Sequence, residues 1–188
     1  MAVFDFLQKA TPPTSSNKLY AIGDVHGCAE QLKELLALIP LTSTDTVVFL
    51  GDYIDRGPDS KGVIDLILDL KNKCNVIALK GNHESMIIDF LTDPGSSNAG
   101  MFIVNGGSAT LASYSNGDEH FIIPDNHLEF YRSLPLSYQT DDYYFVHAGV
   151  PDMPLEEINP EFYEMQMLWI RSSFHNSSFK WSKKINIL

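Results

Sequence analysis

Apolar residues recur along this chain in two rhythms. In residues 28–39 (CAEQLKELLALI), Leu32, Leu35, Leu36 and Ile39 fall three and four apart, the spacing that lines one face of a helix. Residues 61–70 (KGVIDLILDL) repeat that pattern. Short β-branched and aromatic runs lie around them, at 19–22, 46–50 (TVVFL) and 75–79 (NVIAL). The order strand–helix–strand–helix–strand predicts βαβ units and a parallel sheet, so the fold class is α/β.

The rhythm is less regular further on. Helical spacing is expected at 84–91, at 101–114 with an interruption at Gly106-Gly107, and at 128–134. Two strands, 136–139 and 143–146, should flank a turn at Thr140-Asp141-Asp142. A proline-rich loop covers 151–160, a helix containing Trp169 falls within 161–174, and 180–188 begins like a strand.

Composition narrows the class. A chain of 188 residues fits one domain, here 18–188, with a flexible lead-in over 1–17 that contains TPPTSSN. The net charge of -11 argues against a nucleic-acid binder and against a polybasic membrane contact. No stretch reads as a signal peptide or reaches membrane-spanning length. Cys28 and Cys74 form no CxxC pair and are expected as reduced thiols in a cytoplasmic protein.

The predicted strand ends carry the chemistry. Asp24 and His26, Asp52 and Asp55, Asn82 and His83, and finally His147 each follow a strand. Carboxyl ends of parallel strands share one rim, where ligands bind, so these clusters should converge there. Each pair alone is common by chance; four at strand ends in one chain are not. Asp24, His26, Asp52, Asn82 and His147 offer carboxylate, imidazole and amide oxygen without thiolate, a set that suits manganese first, then iron, zinc or cobalt. So many ligands point to two cations, with Asp52 the natural bridge. Such a pair, about 3.5–4 Å apart, clamps the attacking and leaving oxygens of phosphoryl transfer and activates a water between them. Arg56 can fork onto phosphate oxygens. His83 can donate a proton to the leaving oxygen, oriented by Asp55.

The blocks GDVHG (23–27), GDYIDRG (51–57), GNHE (81–84) and VHAG (146–149), with NGGSATLASY (105–114) and LWIR (168–171), resemble those of the calcineurin-like metallophosphoesterases. More narrowly they resemble the bacterial and phage phosphoprotein phosphatases. The resemblance implies a four-layer αββα sandwich. It implies a first metal on Asp24, His26 and Asp52, and a second on Asp52, Asn82 and His147. It gives His83 and Asp55 the acid's role, and gives the substrate phosphate to Arg56 and Arg171. The implied substrate is a phosphorylated protein or peptide. A diadenosine tetraphosphatase, or a protein that binds metal and phosphate without turnover, is the alternative.

One block of that family, a Gly-His-Thr beyond LWIR, is not found. The expectation is a domain shortened at its C-terminus and lacking the family's closing strands, with a weaker second metal. An exposed sheet edge could then pair with another chain.

Overall fold

In the computed structural model the described residues are 17–115, 117, 120–182 and 186–187, so most of the expected lead-in lies outside them. The first half alternates as its apolar rhythm requires. Strands β1 (Leu19–Ile22), β2 (Thr46–Phe49) and β3 (Asn75–Ala78) form a parallel sheet in that order, joined by helices α1 (Ala29–Leu38) and α2 (Ser60–Leu70). Helix α3 (Asn82–Thr92) follows directly. It starts two residues before the expected point, because Glu84 turns back to accept the Gly81 N–H at 3.0 Å and so caps the helix.

Helix α4 (Ser97–Phe102) is capped by the Ser96 hydroxyl, which accepts the Ala99 N–H. A wide turn at Ile103–Gly107 joins it to α5 (Ser108–Ser113), with Gly106 at φ 104°. Glycine is the residue that adopts this left-handed backbone without strain, and the expected interruption falls there. Helix α6 (Asp125–Ser133) starts after Pro124, and strands β4 (Ser137–Gln139) and β5 (Tyr143–Val146) pair antiparallel. The proline-rich loop includes a short turn, Leu155–Glu157. The helix expected around Trp169 is broken by extended backbone at Ile170 into α7 (Glu164–Trp169) and α8 (Ser172–His175). Strand β6 (Asn186–Ile187) pairs parallel with β5.

Side-chain alternation explains the layering. On β2, Val47 and Phe49 face a core shared with α1, α2, α3 and α6, while Val48 faces the other way. Val48 and Leu79 meet Phe145 of β5 there, so the two sheets pack face to face. On β5 the neighbours Tyr144 and Val146 point outward, beneath Leu155, Ile158 and Met167. Helices, sheet, sheet and the outer helical cover give the expected four layers. Cys28 and Cys74 are both free thiols. None of the described helices is long and apolar enough to cross a membrane.

A partly buried polar junction joins α2, the end of α5 and α6. His127 Nε2 meets Asp65 Oδ1 at 3.0 Å, and His127 Nδ1 meets the Tyr114 hydroxyl at 2.8 Å. Burial pushes the His127 imidazole below its ordinary 6.5, with Asp65 pulling the other way. The unfolded chain then binds the proton more readily than the folded one. Stability is therefore full above the unfolded value and lost as pH falls below it. Urea unfolding at about pH 7.5 and about pH 5.5 should show this loss in the parent chain and a smaller one in His127→Gln. Equal losses in the two would assign the acid limb to other groups.

Candidate metal centre

The strand-end loops meet at one place. Val25 and His26 of the β1 loop donate their N–H groups to Asp52 O at 3.0 and 2.9 Å, and Gly27 donates to Tyr53 O at 2.8 Å. Buried Glu84 accepts the N–H groups of Asp52 and Tyr53, both at 2.8 Å, as well as that of Gly81. A Cβ on Gly81 would overlap Asp52 Oδ1 and Asp52 N, so the third loop can lie against the second only with glycine there. Burial, with the Asp52 charge adding to it, pushes the Glu84 carboxyl up to about 8, against three N–H donors that favour its ionised form.

His26, Asp52, Asp55 and Arg56 all have left-handed backbone, at φ 44°, 55°, 72° and 66°. They are the non-glycine residues with positive φ among the described residues, and each is a candidate site residue. Such backbone is disfavoured for residues with a Cβ and persists where its surroundings over-determine it.

Three of the four clusters lie on one rim, as expected. The fourth does not: His147 ends β5 of the second sheet, and it reaches the others because the sheets are stacked. The shared-rim argument is corrected in that respect, while the convergence itself is found. His147 Nδ1 lies 2.8 Å from Leu50 O, and His26 Nδ1 lies 2.8 Å from Ile54 O. A carbonyl only accepts, so both Nδ1 atoms carry the proton and both Nε2 atoms present a lone pair. His147 Nε2 is 2.9 Å from Asn82 Oδ1 and 3.5 Å from Asp52 Oδ1. His26 Nε2 is 3.6 Å from Asp52 Oδ2 and 4.0 Å from Asp24 Oδ2. The two oxygens of Asp52 thus face two different imidazoles. Lone pairs of nitrogen and oxygen converge on each side, a donor set that fits a divalent cation. Sorted by distance alone, ligand atoms of Asp24, Asp52 and His147 lie within 4.8 Å of one another, so Asp24 is within reach of both sides.

His26, Asp52 and His83 also lie within 4.8 Å. His83, however, is occupied elsewhere. Its Nδ1 donates to Asp55 Oδ2 at 2.6 Å, and its Nε2 accepts from Arg56 Nη2 at 3.1 Å. That pairing suits proton handling more than ligation. Arg56 Nη1 is 2.7 Å from His26 Nε2, so it competes with a cation for the same lone pair. Arg171 is not drawn in: it is exposed, and its Nη1 donates to Ile170 O.

Stacked sheets with a carboxylate shared between two imidazole-containing donor sets are the frame of a metal-dependent phosphoesterase. The chain belongs to the calcineurin-like phosphoesterase family, whose profile matches residues 18–184. It is 30% identical over 148 residues to "Bis(5'-nucleosyl)-tetraphosphatase PrpE [asymmetrical]" of Oceanobacillus iheyensis, covering 72% of this chain and 57% of that one. It is 36% identical over 90 residues to "Serine/threonine-protein phosphatase 1" of Salmonella typhimurium, covering 47% and 38%. A solved Saccharomyces cerevisiae protein serine/threonine phosphatase superposes with a TM-score of 0.52 at 25% identity, over 76% of this chain and 41% of that one. The chain thus spans about half the length of the relatives it matches, 57% and 46% for two tetraphosphatases.

The sequence reading passed over Glu84, Ser60 and Thr110, all fully buried. Glu84 was visible as the last letter of GNHE, and Thr110 within NGGSATLASY. A carboxylate next to a ligand pair, with no ligand role of its own, was the available signal.

Asp52→Asn removes charge from both donor sets at once. Titration with manganese in a calorimeter should show both affinities weakened by more than the roughly 10–100-fold that loss of an outer partner costs. His147→Ala should weaken one ion more than the other. Unchanged binding in Asp52→Asn would remove it from the bridge.

Proposed function

We propose that this chain is the metal-binding part of a phosphoesterase that hydrolyses dinucleoside polyphosphates. The observation that carries the hydrolytic reading is the Asp52 carboxylate, whose two oxygens face His26 and His147 separately. Asp24, His26 and Asp52 would hold one cation, and Asp52, Asn82 and His147 the other. Bound there, divalent cations would supply Lewis acidity toward a phosphoryl oxygen and lower the pKa of water.

The chain's own groups do the rest. Arg56, once turned from His26, offers a guanidinium fork to the phosphoryl oxygens. Once Arg56 Nη2 has turned from it too, His83 Nε2 can carry the proton that passes to the leaving oxygen as the phosphorus–oxygen bond breaks. Asp55 holds Nδ1–H at 2.6 Å, which fixes the direction of the ring. Arg171 lies two residues after Trp169 and would have to reorient to join the phosphate.

The longer match to a tetraphosphatase, 148 residues against 90, supports the dinucleotide substrate. The likeness to two protein phosphatases supports a second reading, hydrolysis of phosphate monoesters in proteins.

The test supplies manganese with diadenosine tetraphosphate in one arm and a phosphothreonine peptide in the other. Nucleotide products are expected. Phosphate from the peptide alone would favour the second reading, and no product from either would remove the enzyme. His83→Asn should lower turnover by about 10²–10⁴-fold while metal content stays the same. Loss of metal from that variant would make His83 a ligand instead.

A further inference from the structure

Asp55 and Arg56 are two successive residues with left-handed backbone. The groups that hold them come largely from the α4–α5 segment, distant in sequence and so far without a role. Gly106 O accepts the Arg56 N–H at 3.2 Å. Thr110 Oγ1 accepts the Asp55 N–H at 2.8 Å, and Ser60 Oγ shares it at 3.1 Å. The Thr110 hydroxyl also donates to Asp55 Oδ1 at 2.5 Å. Thr110, Ser60 and Asp55 are each fully buried.

A hydroxyl has one proton and two lone pairs. The Thr110 proton goes to Asp55 Oδ1, because a carboxylate oxygen only accepts. One lone pair takes the Asp55 N–H. In the 3.0 Å contact between Ser60 and Thr110, Ser60 must therefore be the donor. All the bonding capacity of Thr110 is used, so its hydroxyl has a single orientation. Oδ1 of Asp55 is pinned in turn, and Oδ2 is left on His83 Nδ1 at 2.6 Å.

We propose that Thr110 is a positioning residue of this centre, its hydroxyl fixing Asp55 and, through Asp55, the imidazole of His83. The proposal rests on the hydrolytic reading of the site given above. The reasoning is geometric. Without the Thr110 hydroxyl, Asp55 Oδ1 loses that donor, the Asp55 N–H keeps Ser60 Oγ alone of the two, and the carboxylate can rotate. The His83 ring then loses its fixed direction toward the leaving oxygen. The cost falls on reactions in which that oxygen must receive a proton as the bond electrons move onto it. A phenolate stabilised by a nitro group leaves without the proton, so it escapes most of the cost.

This dependence on the leaving group separates positioning from simple damage. The experiment uses the full chain with manganese, and compares phenyl phosphate with p-nitrophenyl phosphate. Thr110→Val should lower kcat on phenyl phosphate by about 10–100-fold, the scale of a hydrogen bond to a charged group. KM should stay within about 2-fold, and p-nitrophenyl phosphate should lose far less. Thr110→Ser, which keeps the hydroxyl, should restore turnover. Proton NMR supplies a reading independent of activity: the His83 Nδ1–H resonance, assigned by its absence in His83→Asn, should move or vanish in Thr110→Val and return in Thr110→Ser. Should Thr110→Val fail to fold, Ser60→Ala removes the donor to Thr110 and should give the same leaving-group dependence, smaller in size. Equal loss on both substrates, or an unmoved His83 resonance, would overturn the proposal. If the parent chain cleaves neither ester nor diadenosine tetraphosphate, the hydrolytic reading fails, and the NMR comparison still decides the role of Thr110.

Discussion

Left-handed backbone at His26, Asp52, Asp55 and Arg56 is the constraint on which the centre depends. Each such residue costs roughly 1–2 kcal/mol relative to ordinary backbone, so the loops would relax if left alone. They are held because their polar groups are bonded to other parts of the chain. Asp52 O takes two N–H groups from the β1 loop, and Glu84 takes the N–H groups of Asp52 and Tyr53. Thr110 and Gly106 take those of Asp55 and Arg56. A net hydrogen bond contributes about 0.5–1.5 kcal/mol, so no single one balances the strain, and the set together does. The strain aims side chains of one short loop in several directions: Asp52 at the imidazoles, Asp55 at His83, and Arg56 across the top.

Stacking the sheets solves a separate problem. A single three-stranded parallel sheet brings Asp24, His26, Asp52 and Asn82 to one rim, with His83 engaged by Asp55 and Arg56, and has no further strand to set an imidazole beside Asn82 and Asp52 Oδ1. The second sheet supplies it. His147, distant in sequence from Leu50, donates to the Leu50 carbonyl at 2.8 Å. That bond sets its tautomer and depends on the packing of Phe145 against Val48 and Leu79. Core packing therefore helps decide which nitrogen of His147 would face a cation.

The sequence made part of this legible. Short β-branched and aromatic runs placed β2 and β5, because strands buried on both faces leave a strong apolar run. The strand-end polar groups were legible because glycines bracket them. The second sheet's part in the rim was not, since sequence spacing says nothing about which sheet a strand joins. Nor were Ser60 and Thr110. A buried hydroxyl in a helix looks like any small polar residue until its partner is known, and the partner here lies far along the chain. The split of α7 from α8 at Ile170 was equally hidden, because nothing in LWIR breaks a helix by itself.

Charge gives the last step. Asp24, Asp52, Asp55 and Glu84 lie in or beside the centre, and Arg56 is the cationic side chain in contact with its histidines among the described residues. A phosphate group arriving at such a site meets repulsion that one guanidinium does not offset, in a chain whose net charge is -11. On the proposed function, cations held by these residues would offset that repulsion. They would also release Arg56, because a cation on His26 Nε2 takes the lone pair that the guanidinium now holds at 2.7 Å. The guanidinium freed in this way would then be available to the proposed phosphate. On the proposed function, metal binding and substrate binding would be coupled through this side chain, an obstacle without cations and a phosphate partner with them.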